Sequence, residues 1–281
     1  IGFFYSRRVS NSEDYNLGGR RMNPALVGLS MFASLLSTIS YLSYPGEMIK
    51  HGPMMAAQYL SYPIIFLVVG YILVPYIMRM KVTSAYEILE KRFGLSVRMP
   101  GSFYFLALRL MWMSVIIYAT GSKILIPLMG WSEAATPIVC AVLGLVTVIY
   151  TSMGGLRAVV MTDALQTGIL FFGALLTLVM ITINLGGVSA WWPTEWSANW
   201  DPLKVWYDSS ARVTIFGALT AILTWHICTQ GSDQVAIQRY LSTRDVKAAR
   251  RVILTSLATG ASTGIMLALL GLALFAWFNK N

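Results

Sequence analysis

Apolar residues in this chain gather in long runs, with little of the alternation or short amphipathic patterning of a water-soluble domain. Seven stretches, 24–50, 53–79, 99–128, 133–152, 156–185, 213–233 and 250–278, are each long enough to cross a bilayer; a spanning helix needs about 20 mostly apolar residues. A closed membrane barrel would instead show short alternating strands, and none occur. The pattern predicts an all-α, polytopic membrane protein. Outside the runs, residues 82–94 (VTSAYEILEKRFG) read as a short amphipathic helix that Thr83 or Ser84 caps and Gly94 ends. Residues 186–212 form the one longer loop and hold Trp191, Trp192, Trp196, Trp200 and Trp206, five of the nine tryptophans. An interfacial aromatic belt accounts for them; an outer vestibule or lid is the sharper alternative.

Two runs carry polar interruptions. In the first, Ser30, Ser34, Ser37, Ser40 and Ser43 recur at spacings of four and three, with Thr38 beside them, so hydroxyls line one helical face. The run then meets Tyr44-Pro45-Gly46, where Pro removes a donor and Gly relaxes the backbone. Ser40–Gly46 is expected to unwind. Carbonyls freed at membrane depth persist only where they line a cavity or hold an ion. Serines in membrane helices also bond their own i−4 carbonyl or let helices pack closely. Five on one face before a Pro-Gly pair favour a polar pathway. In the sixth run the apolar pattern gives way at Thr224, His226, Thr229, Gln230, Gly231, Ser232 and Asp233. Paired interrupted spans point to an inverted-repeat secondary transporter with its site near the midplane.

Composition and charge sharpen this picture. Hydrophobic residues make up 56% and charged residues 12%, about half the charge that covers a soluble domain. The net charge of +9 is explained by sidedness. Fifteen Lys and Arg fall on the face holding 6–21, 80–98, the 152–157 turn and 239–251. Five (Lys50, Lys123, Lys204, Arg212, Lys280) fall on the other, and Arg109 lies within a span. The basic face is expected to be cytoplasmic in a multi-pass plasma-membrane protein, and a nucleic-acid partner is not needed. Two His and the isolated Cys140 and Cys228 make no metal cluster. Without a phosphate loop, a GxSxG elbow or HExxH, neither an ATP-driven pump nor an enzyme has support. Asp163 lies about 12 Å into the fifth run, at ~1.5 Å per residue. A carboxylate there is costly unless paired, hydrated or bound to a cation, so it marks an ion path or a salt bridge, with Arg157 or another base as partner. Glu47 and Asp233 sit near the two interruptions.

The stretches Tyr150-TSMGGLRAVVMTDALQ and Ser232-DQVAIQRYLSTRD, supported by Ala33-SLLSTISYLSYPGE, Gln58-Tyr-Leu and Thr83-SAYEILEKRFG, resemble the sodium:solute symporter family over nearly the whole chain. The resemblance implies a LeuT-like, five-plus-five inverted-repeat core, here incomplete. The chain does not begin with Met and stops soon after an apolar run, so it reads as a fragment. Residues 1–23 would be the end of a leading flanking helix and a linker. Residues 24–185 would be the first repeat, 186–212 an extracellular loop, and 213–281 the first two spans of the second repeat.

The implied function is sodium-coupled uptake of a small polar organic solute by alternating access: a sugar, sialic acid, amino acid or monocarboxylate. Sodium is then a coupling ion, and no cofactor is implied. The alternative is a sensor module of a signalling protein built on the same domain. By alignment, sodium would meet the carbonyls of Ala33 and Leu36 and the hydroxyl of Ser37, with Asp163 at a second site or the inner exit. Ser37, Ser40, Gln58, His226, Thr229 and Gln230 would face the solute. Acidic residues that some relatives carry are Leu35 and Tyr59 here, against a sugar or proline assignment; the Gln58-Tyr-Leu and Ser232-Asp-Gln pieces lean towards the sialic acid branch.

Overall fold

The computed structural model describes residues 11–36, 38–80, 82 and 84–280. The leading stub 1–5, Ser37 and Thr83 lie outside the described residues. Helices and connecting loops account for all of what is described, with no strand among these residues. The chain runs through α1 (Ser12–Leu17), α2 (Pro24–Leu35), α3 (Thr38–His51), α4 (Pro53–Arg79), α5 (Ala85–Phe93), α6 (Leu95–Met129), α7 (Glu133–Met153), α8 (Gly155–Leu185), α9 (Ile215–Ser232), α10 (Gln234–Leu241) and α11 (Val246–Lys280).

By length and apolarity, α4, α6, α7, α8 and α11 each suffice to cross a membrane, and α2 with α3 forms a sixth, bent span. The seventh expected span, α9, has 18 residues, about 27 Å at ~1.5 Å per residue. That barely covers a hydrocarbon core of about 30 Å, and its polar end keeps it below the apolarity of the others.

Both expected interruptions move. The first span bends by 68° after Leu36, whose backbone is extended (φ −94°, ψ 131°). Tyr44-Pro45-Gly46 is helical, inside α3. Tertiary packing explains the shift. Gly271 of α11 faces Pro45 so closely that a Cβ on it would lie 2.7 Å from the Pro45 carbonyl oxygen. The Pro-containing turn is pressed into place there despite its lost donor. In the sixth run α9 is continuous to Ser232, and the ladder stops only at Asp233 (φ −75°, ψ 127°), which caps α10 by accepting from Val235 N at 2.8 Å. Polar side chains alone did not break that helix, because Thr229 and Ser232 bond back to the carbonyls of Trp225 and Cys228.

The core is built by α2, α4, α8, α10 and α11, through Val27, Ile65, Val160, Tyr240 and Val252. None of the most apolar window of α6 or α7 is buried, whereas half that of α11 is. The first two therefore present apolar faces outward, as lipid contact requires, and α11 lies at the centre. The short helix α5 appears as expected, with Ser84 accepting from Tyr86 N at 3.2 Å and Gly94 (φ +84°) ending it.

The tryptophan loop divides. Trp192, Trp196 and Trp206 are exposed, as a belt would have them, but Trp191 and Trp200 are buried anchors. Trp191 donates to Thr182 Oγ1 at 2.9 Å, and Trp200 packs on Phe275 and against Gly52. A chain of polar contacts fastens the same loop to the C-terminal end of α3. Arg212 pairs with Glu47 and with Asp201, and Asp201 pairs with His51 at 3.2 Å. A small burial cost at Asp201 is outweighed by His51 and Arg212, so its carboxyl sits below the ordinary range. A lowered folded-state pKa supplies stability above the unfolded value, about 3.9, and loses it as pH falls through the folded value. Acidification below about pH 4 should therefore loosen the loop and red-shift tryptophan emission. Asp201→Asn should remove that transition, and an identical acid transition in the variant would show that Asp201 is not its origin.

Candidate functional site

The bend of the first span opens onto a central cavity of about 160 Å³ between α2, α3, α4, α9 and α11. Past Phe32 O, which accepts from Leu36 N at 3.0 Å, the final carbonyls of α2 have no successor within that helix. Leu36 and Ser40 line the cavity, opposite Tyr59 and Tyr62 of α4, Trp225 and His226 of α9, and Ser256 of α11. An aromatic array forms one wall. Tyr44 meets Tyr59 at 6.2 Å, Tyr59 meets Tyr62 at 5.2 Å and Tyr62 meets His226 at 5.4 Å, all edge-on. Gln58 donates to the Tyr44 hydroxyl at 2.9 Å. His226 is only 9% exposed, and its Nδ1 is buried with no hydrogen-bond partner among the described residues. Aromatic faces, hydroxyls and a free ring nitrogen suit a small solute carrying both apolar and polar surface.

A second polar site lies further back along α2, about 9 Å of helix from Leu36. Ser30 donates to Asp163 Oδ2 at 2.5 Å. Arg239 of α10 is 4% exposed; it donates to Ser30 Oγ at 3.0 Å, Ser34 Oγ at 2.6 Å, Val235 O at 3.2 Å and Asp163 Oδ2 at 3.5 Å. Charge-assisted bonds to hydroxyls and a carboxylate make burial of the guanidinium tolerable. This corrects the charge tally, in which Arg239 counted as a basic residue of a loop. Of the partners expected for Asp163, Arg157 or another base, it is another base, Arg239, that pairs with it; Arg157 turns away, donating to Gly18 O at 3.0 Å and Asp14 Oδ1 at 3.3 Å. Arg109 pairs with Asp233, with Phe105 beneath it, so it is anchored within the protein.

The two family-like stretches serve as wiring. Gly155 has φ +59°, and a Cβ there would lie 2.7 Å from Tyr15 O, so the glycine turn docks α1. Tyr15 OH in turn donates to Ser152 O at 2.8 Å. In the other stretch Gln234 accepts from Ala85 N at 2.7 Å, Gln238 donates to Asn16 O at 2.6 Å, and Arg239 reaches α2 and α8.

Of the residues expected from sequence, Leu36, Ser40 and His226 line the cavity, and Ala33 lies in the turn that ends beside it. Gln58 stands behind Tyr44. Thr229 bonds its own helix, and Gln230, 2% exposed, accepts from Tyr240 OH in the core, so neither lines the cavity. Asp163 stands with Ser30, Ser34 and Arg239 instead. Sequence reasoning missed Tyr44, Tyr62, Trp225 and Ser256 as wall residues. Tyr44 adjoins the Pro-Gly pair, and Tyr59 and Tyr62 lie three apart; that spacing was the available signal. Among the described residues no group of His, Cys, Asp or Glu could hold a metal by side chains alone.

The family model described as sodium:solute symporter family matches residues 15–278. A sodium/sialic acid symporter of Proteus mirabilis (strain HI4320) is 33% identical over 285 residues, covering 100% of this chain and 56% of its own length. A sodium-dependent multivitamin transporter of Oryctolagus cuniculus is 31% identical, covering 94% of this chain and 41% of its own. A solved substrate-bound, outward-open Na+-coupled sialic acid symporter superposes with a TM-score of 0.82 at 30% identity, covering all of this chain and 59% of that one. The chain thus spans about half the length of the curated relatives it matches, and those relatives are named as transporters. With its bent first span, apolar helices and partial transporter core, the chain belongs to the sodium:solute symporter family.

Proposed function

We propose that the full-length protein couples inward sodium movement to uptake of a small polar organic solute by alternating access. The observation that carries this reading is the bend after Leu36, which places the open end of a membrane helix against a cavity walled by tyrosines and His226. Relatives named for sialic acid, vitamins and monocarboxylates support the class of cargo without choosing within it. In this reading residues 24–185 form the first repeat and 213–281 begin the second, with the basic face cytoplasmic. Sodium meets the carbonyls of Ala33 and Leu36 beside Ser37. The solute lies against Ser40, His226 and the tyrosines, with Gln58 orienting Tyr44; Thr229 and Gln230 act from behind. Asp163 stands on the inward ion path. The membrane potential adds ~2.3 kcal/mol per charge per 100 mV.

Uptake by the full-length protein in proteoliposomes should require an inward sodium gradient and fail when potassium replaces sodium. Equal uptake in potassium would remove the coupling. Asp163→Asn should raise the sodium concentration for half-maximal uptake about tenfold, equivalent to ~1.4 kcal/mol of ion affinity. An unchanged sodium dependence would leave Asp163 a structural residue.

A further inference from the structure

On the basic face, a second cavity of about 530 Å³ lies between the segment that enters α2 and the start of α11, away from the central site. Arg21, Arg244, Lys247 and Arg251 line it, with Asp245 as the one acid. That acid is already engaged. Asp245 Oδ1 accepts from Ala248 N at 2.7 Å, and Oδ2 takes Arg244 Nε at 3.1 Å. The Ala248 amide, ahead of Arg244, holds the carboxyl below its ordinary range despite a small burial cost, so it stays ionised and committed. The Lys247 amide also faces the Asp245 carboxylate, but the side chains of Arg21, Lys247 and Arg251 have no hydrogen-bond or ion-pair partner among the described residues. Sidedness explains why these cations lie on this face. It does not explain why three cations without partners converge on one concavity.

The walls are held in place. Met22 N donates to Ser242 O at 3.2 Å, tying the entering segment to the end of α10. Asn23 caps α2 by accepting from Ala25 N at 2.9 Å, and Asp245 caps α11. The N-terminus of α2, capped by the neutral Asn23, opens on the same cavity and adds positive potential to that of the side chains, whereas that of α11 is already met by the Asp245 carboxylate. α2 is apolar from Ala25 on and α11 from Val252 on, after Arg250 and Arg251, so the cavity lies where a membrane span meets the headgroup layer.

We infer that this cavity binds a phosphate-bearing anion, with Lys247, Arg251 and Arg21 as its cationic ligands. The chemistry is shared by the headgroup of an anionic phospholipid and by free phosphate. A phosphate here bridges α2 and α11, two principal helices of the core, so occupancy stabilises their packing. The inference stands independently of what the central cavity carries.

The test is thermal unfolding of the detergent-purified full-length protein at low salt, titrated separately with phosphatidylglycerol, phosphatidylcholine and inorganic phosphate. Phosphatidylglycerol alone raising the midpoint identifies a lipid site; inorganic phosphate raising it equally identifies a soluble anion. Either supports the inference. The paired substitution Lys247→Gln and Arg251→Gln should weaken the response about tenfold or more, at ~1 kcal/mol per basic group near an anionic headgroup. Arg92→Gln, on the exposed last turn of α5, should not. Should the paired variant fail to fold, native mass spectrometry of the wild type reads the same point: phosphatidylglycerol adducts should outlast phosphatidylcholine adducts and be displaced by salt. No midpoint shift above that of phosphatidylcholine and chloride, or a paired variant that responds as the wild type does, overturns the inference.

Discussion

Arg239→Ala in the full-length protein should lower stability by about 3–5 kcal/mol, the range for removing one partner from a buried ion pair. The guanidinium is 4% exposed and bonds to Ser30, Ser34, Asp163 and the Val235 carbonyl, so its loss strands a carboxylate and two hydroxyls in the interior. It also frees α10 from α2 and α8. Arg239→Lys should rescue little, because one ammonium cannot reproduce a planar fork that reaches several acceptors at once. The combined change Arg239→Met with Asp163→Leu should be more stable than Arg239→Ala alone, since a buried pair exchanged for apolar groups is often close to neutral. Thermal unfolding in detergent reads all three. An Arg239→Ala midpoint equal to that of the wild type would mean that the cluster does not fasten these helices.

Gly271→Val should be the other large loss. A Cβ at Gly271 would lie 2.6 Å from Met48 Cβ, 2.7 Å from Pro45 O and 2.9 Å from Pro45 Cα. Backbone atoms cannot rotate away, so α3 and α11 must part. Overpacking of this kind costs about 1–3 kcal/mol, and small residues are what allow such close approach between membrane helices. Gly271→Ala should lie part of the way to Gly271→Val. Gly168→Ala is the control, because a Cβ there meets nothing within 4 Å and alanine favours helix by up to about 1 kcal/mol. The expected order of unfolding midpoints is Gly168→Ala at or above wild type, then Gly271→Ala, then Gly271→Val. Equal midpoints for Gly168→Ala and Gly271→Val would contradict the packing. A parted α3 also widens the central cavity, which Tyr44 and Ser40 of α3 line, so solute uptake should fall with stability.

Several elements were legible without coordinates because their causes are local. The α5 helix follows from the Ser84 cap and Gly94, and a membrane-embedded α bundle follows from runs of apolar residues that no soluble domain would carry. Asp163 stood out because a lone carboxylate in an apolar run is expensive wherever the chain folds. Its partner did not, because Arg239 is 76 positions away and occupies a stretch in which Arg244, Lys247 and Arg251 are exposed. Local grammar placed the first break at Tyr44-Pro45-Gly46, but the pressure of α11 through Gly271 keeps that turn helical. The interruption passes instead to Leu36.

The sequence by itself determined the solvent, the spans and the kind of polar residue that must meet at depth, because lipid penalises each unpaired group one residue at a time. Only the tertiary structure decided which helix opens, which cation meets Asp163 and which tyrosines wall the cavity. Those outcomes depend on distances between segments far apart in the chain, and no local propensity encodes them.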